Sequence, residues 1–381
     1  MSTALIERVR ARLVAHELDA TPARVAAALR AEGLVLGDAA ILDLVGSLRQ
    51  DLVGAGPLDP LLRLDQVTDV IVNGPTQVWI DRGDGLTLTD VVFPSDADVR
   101  HLAQRLAAAA GRRLDEASPF VDARLPDGVR LHCVLPPVAV EGTLISLRIP
   151  PRRAFTVEEL VARGSVDAAG AELLAAMVRA RLAILISGGT GSGKTTILST
   201  LLGLVDPRER IVIVEDSTEL SPRHPHAVRL QARVPNIEGA GQVTLRDLVR
   251  QALRMRPDRL VLGEVRGAEV VDLLAAMNTG HEGGMGTVHA NSAADVPARL
   301  EALGLVAGLD RMAIHALVAA AVDVVMHLGR NPTGQRVVTG IHVLERDGVG
   351  QVRAVPALTR SGRALIAGEG GEQLTRRLER A

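Results

Sequence analysis

Lysine is almost absent from this 381-residue sequence: of its 43 basic residues 42 are arginine, and Lys194 stands alone. Arginine serves wherever a generic positive charge sits, so the one ammonium marks a position that wants a compact, flexible point charge. Cysteine is as scarce. Cys133 is the single one, which excludes an internal disulfide, suits a reducing compartment, and reads as a small buried hydrophobe. The aromatic residues are Trp79, Phe93, Phe120 and Phe155, few platforms on which nucleobases could stack. No block of one charge sign occurs either. With 43 basic against 45 acidic residues the net charge is −2, which disfavours sequence-independent nucleic-acid binding.

Long apolar runs are also missing. The most apolar stretch, Ala316 to Leu328, carries Asp323 and is shorter than the roughly 20 residues that a membrane span requires. The N-terminal MSTALIERVRARLVAHELDA breaks its apolar residues with charges every three or four positions and lacks the uniform apolar centre of a signal peptide. The chain is therefore expected to stay in the cytoplasm, with any membrane contact peripheral or through a partner. What is abundant is hydrophobic residue content, 47%, ample at this length for more than one core.

Four segments follow from the patterning. Residues 1–52 read as a short helical prefix, with Thr21-Pro22 and Asp38 as start signals and Gly33 as a stop. Residues 53–149 read as an α+β domain: β-type runs such as Val70–Val72 and Val78–Ile80 alternate with Asn73-Gly74, Asp84-Gly85 and Asp127-Gly128 turns, and one helix falls around His101 to Ala110. Pro150-Pro151-Arg152-Arg153 opens a linker over 150–156, and the helical pattern resumes near Thr156. In the remainder, 157–381, apolar β-type runs (Ala183–Ser187, Ile211–Glu215, Leu260–Gly263, Gly286–His289, Val322–Met326, Val337–Val343) alternate with helical ones. Runs apolar throughout predict a sheet covered on both faces, hence an α/β core. The Gly/Arg-rich end after Ser361 is expected to be loosely ordered.

The run Ala183–Ser187 leads into Gly188, Gly189, Thr190, Gly191, Ser192, Gly193, Lys194, Thr195 and Thr196, and a helical run, Ile197 to Val205, follows. This is a complete Walker A pattern in its strand–loop–helix context. Glycines let successive N–H groups point at phosphate oxygens, and the helix N-terminus adds its dipole. The solitary Lys194 is expected to reach the β- and γ-phosphates of ATP, and Thr195 to offer its hydroxyl to Mg²⁺. Lys194-Thr195 directly after the last glycine disfavour a Rossmann dinucleotide loop.

Hydrolysis also needs a held, activated water, and neighbouring strand ends are the place to look. Ile211–Val214 ends in Glu215-Asp216 with Glu219 nearby, and Leu260–Gly263 ends in Glu264 with Arg266 beyond. In a parallel sheet these carboxylates project from the same edge as the phosphate loop. The segment Thr279 to Asn291 adds His281 and His289; no third ligand at metal spacing accompanies them.

The ordered set Gly188–Thr196, Ile211–Leu220, Arg256–Gly267 and Thr279–Asn291 resembles the Walker A, Asp box, Walker B and His box of the secretion ATPases, the motors of type II and type IV secretion and of type IV pili. The likeness is strongest to the Tad/Flp pilus-assembly branch. It extends to Gly56–Leu58, Val72–Gly74 and Val121–Gly128, covering about residues 50 to 345. The resemblance implies an α/β fold with a RecA-like P-loop ATPase domain preceded by the smaller α+β domain. It implies that Glu215 polarises the attacking water, that Glu264 joins Thr195 in the Mg²⁺ shell, and that His281 and His289 lie at the active site. It implies, further, that the N-terminal domain supplies Arg124, Arg130 and Arg148 to the nucleotide. A tetracysteine zinc motif, carried by some relatives, is impossible with one cysteine.

The function expected from the resemblance is a homo-hexameric ATPase at the cytoplasmic face of the inner membrane. It would pass work to a membrane platform protein, without direct nucleic-acid contact. A phosphotransferase, a nucleic-acid translocase and a purely structural nucleotide-binding module are the rivals; the first gains from the Walker A pattern but not from the His box, and balanced charge with few aromatics disfavours the second.

Overall fold

The computed structural model describes Ala27 and residues 54–379, apart from 84, 151–152 and 236–239. The helical prefix expected over 1–52 thus lies, Ala27 aside, outside the described residues. The chain divides into two compact units between Pro150 and Pro151.

In chain order the first unit holds α1 (Asp59–Arg63), β1 (Asp69–Asn73), β2 (Val78–Asp81), β3 (Leu86–Leu88), α2 (Asp96–Ala109), β4 (Phe120–Arg124), β5 (Arg130–Val134) and β6 (Leu144–Arg148). Among the described residues its strands form one antiparallel sheet in the order β3-β2-β1-β6-β5-β4. Period-two alternation decides its faces: Val70 and Val72 of β1, and Ile145 and Leu147 of β6, are buried while their neighbours are not. Helix α2 begins at residue 96, five residues before the expected start, because Ser95 accepts the Asp98 N–H as N-cap. Its buried stripe of Val99, Leu102, Ala103, Leu106 and Ala107 joins the core of this unit. Cys133 lies in that core, and burial pushes its thiol up to about 12, as befits a small hydrophobe.

The second unit runs α3 (Val157–Ala162), α4 (Ala168–Arg179), β7 (Ile184–Gly188), α5 (Lys194–Leu202), β8 (Ile211–Glu215), β9 (Ala227–Gln231), α6 (Leu245–Ala252), β10 (Arg259–Val265), α7 (Glu269–Met277), β11 (Met285–His289), α8 (Val296–Val306), α9 (Arg311–Ala321), β12 (Val324–Arg330), β13 (Arg336–Arg346), β14 (Val352–Ser361), β15 (Ala364–Ala367) and α10 (Gly371–Leu378). Among the described residues its sheet is ordered β15-β14-β13-β12-β7-β11-β10-β8-β9. Strands β12 to β9 in that order pair in parallel, and β13 to β15 extend the sheet as an antiparallel meander. The continuous apolar strands are indeed covered twice. Leu185, Val212, Val214, Leu260 and Leu262 pack on one face with α6, α7, α8 and α9; Ile184, Ile186, Ile211, Ile213 and Val261 pack on the other with α4 and α5. Burying each such side chain stabilises the fold by roughly 1.5–3 kcal/mol.

Several boundaries differ from the sequence reading, for identifiable reasons. Helix α3 starts at Val157, where Thr156 and Glu159 form a capping box. The apolar stretch Ala316 to Leu328 is the end of α9 followed by the start of β12, with Asp323 between them accepting the Ala183 N–H at 2.9 Å. The end after Ser361 is ordered over residues 362–379, contrary to expectation: β15 pairs with β14, and α10 buries Leu374 in the core. Its composition is polar, but α10 is amphipathic, and one buried stripe suffices to dock it. Among the described residues no helix is long and apolar enough to cross a membrane.

Candidate active site

All parts of the site in the second unit derive from one consequence of parallel pairing, that strand C-termini share an edge. Gly188 at the end of β7 faces His289 at the end of β11. Beyond β11, β10 ends in Glu264-Val265, and beyond it β8 ends in Glu215. The loop after β7 turns through left-handed glycines, Gly191 at φ 69° and Gly193 at φ 96°, and Gly193 is the N-cap of α5. Gly188 is required for room as well. A Cβ there would lie 2.6 Å from the Leu328 carbonyl oxygen and 2.7 Å from Ser192 Oγ.

Lys194, 9% exposed, donates from Nζ to the carbonyls of Gly188 and Gly189, each at 2.9 Å, so the loop curls around its ammonium. Burial lowers its pKa, partly opposed by the charge of Glu264. Thr195 and Thr196 occupy the first turn of α5, half-buried, behind the lysine. The N-terminus of that helix offers free N–H groups and a positive dipole to phosphate.

Glu264 is the hub of the edge. Its Oε2 accepts from Arg266 Nε at 2.8 Å and also from Arg266 Nη2, and its Oε1 lies 3.2 Å from His289 Nδ1. His289 Nε2 in turn lies 3.0 Å from Thr190 Oγ1, so Thr190, His289, Glu264 and Arg266 form one chain from the phosphate loop to β10. Burial pushes the Glu264 carboxyl up, but hydrogen bonds from Arg266 and His289 and the charges of Arg266 and Lys194 outweigh it and leave it below the ordinary range. An ionised carboxylate only accepts, so His289 donates from Nδ1. Arg266 Nη1 also approaches Asp216 at 4.0 Å, tying the ends of β10 and β8.

Glu215 is of a different kind. It is 4% exposed; its Oε1 accepts the N–H groups of Glu219 and Leu220 at 2.9 and 3.0 Å, and its Oε2 is buried without a hydrogen-bond partner. Burial raises its pKa to about 7, against the two N–H bonds that lower it and with a contribution from Glu219 that raises it. Two carboxyls at one edge thus have their pKa values pushed in opposite directions, the condition for an acid/base assignment. Gly263 makes the space: a Cβ there would sit 2.7 Å from Glu215 Cγ.

Residues to which the motifs gave no role support these. Thr287, buried on β11, donates to the Gly263 carbonyl at 2.6 Å, where the β10–β11 register shifts between Leu262 and Val265. That shift re-aims the strand at Glu264. Glu269, buried at the start of α7, accepts the N–H groups of Arg266 and Gly267, both at 2.7 Å, and fixes the turn after Glu264. An acid in the first turn of a helix was the available signal. His327 on β12 bonds Ser187 at 2.8 Å, and burial lowers its pKa.

His281 is not brought to this cluster. It precedes β11 by four residues, at the strand's entry and hence at the edge opposite the phosphate loop, with Nδ1 buried and unpartnered. The neighbouring Gly283 packs against Arg259, a fully buried guanidinium held by Glu209 at 2.8 Å at that edge. The arginines expected from the first unit lie on adjacent rungs of its sheet: Arg124 faces Arg130, and Arg130 faces Arg148. Arg130 is bidentate to Asp122 at 3.1 and 2.7 Å, and Arg124 Nε donates to the Gly128 carbonyl at 3.1 Å.

Known proteins resemble this chain. A putative conjugal transfer protein of Mycobacterium tuberculosis is 56% identical over 327 residues, covering 84% of this chain and 93% of that one. The type IV secretion system protein PtlH of Bordetella pertussis is 33% identical over 301 residues, covering 72% and 88%. Two solved structures are similar at 18% identity: the pilus retraction motor PilT with bound ADP, with a TM-score of 0.52 and 82% of each chain covered, and the Legionella pneumophila ATPase DotB, with 0.51 and coverage of 90% and 88%. This likeness shows the fold, a RecA-like P-loop unit preceded by a smaller α+β unit. The family model for type II/IV secretion system proteins matches residues 51–366, and the chain belongs to that family.

Proposed function

We propose that this chain is an ATPase whose hydrolysis of ATP to ADP and phosphate powers a secretion or pilus machine. The observation that carries the reading is the gathering at one sheet edge of a buried ammonium, an ionised carboxylate held by histidine and arginine, and a buried carboxyl with its pKa near 7. Backbone N–H groups of Gly189 to Thr195 and the Lys194 ammonium bind and orient the phosphates, replacing the carbonyl bonds that the lysine otherwise makes. Glu215 takes the proton of a water as its oxygen attacks the γ-phosphorus and the bond to the β-phosphate oxygen breaks. Its unpartnered Oε2 is the free acceptor for that proton. Arg266 and His289 hold Glu264 charged and fixed.

The Thr195 hydroxyl and the ionised Glu264 carboxylate are hard oxygen donors of the kind Mg²⁺ takes when phosphate and water complete its shell. When bound, that ion neutralises charge on the β- and γ-phosphates. Arg124, Arg130 and Arg148 are assigned to the developing charge at the γ-phosphate. His281, at the far edge, is assigned no part in the chemistry of its own loop.

The finer assignment is a hexameric ring of the Tad/Flp pilus-assembly type at the cytoplasmic face of the membrane, acting on an integral platform protein. The motif likeness supports it, and relatives named for conjugal transfer and type IV secretion support the broader class. The test is phosphate release by wild type, Lys194→Ala and Glu215→Gln. Wild type turns over without an added acceptor; Lys194→Ala loses nucleotide binding; Glu215→Gln binds ATP yet hydrolyses it about a hundredfold or more slowly. Turnover surviving in both variants sinks the site assignment.

A further inference from the structure

The flank of the phosphate loop that the acidic cluster leaves open is occupied by two arginines of the β12–β13 hairpin. Strand β7 lies between β12 on one side and β11, then β10, on the other. Glu264 and His289 are on the β11–β10 side, so a terminal phosphate meets them there. The part of the nucleotide nearer the nucleoside then lies along the rest of the loop, towards β12. On that side Arg330 and Arg336 face each other across the ladder.

Arg336 runs against the loop itself. Its Cδ lies 3.5 Å from the point where a Cβ on Gly193 would sit, and Gly193 caps the helix whose N-terminus faces phosphate. Arg330 lines a cleft of about 230 Å³ together with Gly189, Thr190, Ser192, Asn291 and His327, and among the described residues lining it none is acidic. A second observation points into the same cleft. Ser192 is 7% exposed, and its buried hydroxyl has no hydrogen-bond partner. The Arg330 guanidinium is steadied by a 2.8 Å bond from Nη1 to the Gly334 carbonyl. Like charges on facing rungs repel; an anion shared between them reverses the sign of that interaction, and the planar guanidinium fork matches phosphate oxygens.

We infer that Arg336 and Arg330 are phosphate-binding residues that grip the α- and β-phosphates of the nucleotide held by the loop of the same chain. The inference rests on the ATPase reading above. It separates two sets of arginines by chemistry: contacts to the α- and β-phosphates persist in ADP, whereas contacts to the γ-phosphate do not.

The experiment is equilibrium binding of a fluorescent ADP to the full chain, with thermal melting of every variant as a folding control. Arg336→Ala is expected to weaken ADP by about tenfold or more, as loss of a charge-assisted bond to phosphate would. Arg336→Lys restores part of the affinity, and Arg330→Ala, at an exposed position that folding tolerates, shows a smaller loss in the same direction. If wild type binds ADP, Lys194→Ala does not, and both alanine variants at the hairpin stay within about twofold of wild type, this inference falls and the ATPase reading stands. If wild type ignores ADP altogether, both fall together.

Discussion

Glu215 shows how one residue acquires a function from its surroundings alone. As a solvated acid at the end of a strand it would be charged at neutral pH and useless as a base poised near 7. Burial under Gly263 raises its pKa from the ordinary 4.5 to about 7, so proton affinity and water activation come from the same packing. The same shift has a sign for stability. The folded protein binds this proton more tightly than the unfolded chain, so the contribution is fully present below about pH 4.5 and is lost as the pH rises through about 7. Glu215→Gln cannot ionise and escapes that loss. Melting curves from pH 5 to 8 are expected to fall for wild type relative to the variant, by on the order of 3 kcal/mol at most. Parallel curves would show that the carboxyl is not held protonated. Turnover of wild type, in contrast, should fall about tenfold per pH unit below the Glu215 pKa, since only the ionised carboxylate accepts the proton.

At the scale of elements, the strands that carry chemistry were legible in the sequence because they are buried on both faces and therefore apolar throughout. Ile211–Glu215 reads as a strand for that reason and is one. The edge strand β9, with Arg229 in its centre, and β14, interrupted by Pro356 and alternating in burial, gave no such run and escaped notice. The strand, glycine loop and helix of residues 184–202 were legible because the glycines and the lone lysine form a fixed pattern between two apolar runs. His281 and His289, by comparison, look equivalent in a motif; only the direction of β11 separates them, and that is a property of the sheet. Thr287 is hidden in the same motif by its ordinary side chain, yet its hydroxyl bridges β11 to β10 at the register shift that aims Glu264. Thr287→Val keeps shape and removes the donor of the 2.6 Å bond to the Gly263 carbonyl, a loss of about 0.5–1.5 kcal/mol. A lower melting temperature together with reduced kcat is expected for Thr287→Val, and recovery of both for Thr287→Ser. Equal behaviour of valine and serine would reduce Thr287 to a packing residue.

At the scale of the molecule, each unit has a core of its own. The first unit spends a conspicuous arrangement on no core at all: Arg124, Arg130 and Arg148 on consecutive rungs of β4, β5 and β6. Facing like charges are unfavourable by some tenths of a kcal/mol to about 1 kcal/mol each. Asp122 pairs with Arg130, and Asp69 faces Arg148 on β1. A row of guanidinium groups suits a multiply charged anion, and the proposed reaction develops one at the γ-phosphate. Alanine at each position in turn should therefore lower kcat, by about a hundredfold or more for at least one of them, with ADP affinity unchanged. Steady-state turnover beside ADP titration reads both quantities on the same preparations. The contrast with Arg336 is sharp: hairpin variants lose ADP, first-unit variants lose turnover. Wild-type kcat in all three alanine variants would remove the first unit from the chemistry and leave the phosphate site to the second unit alone.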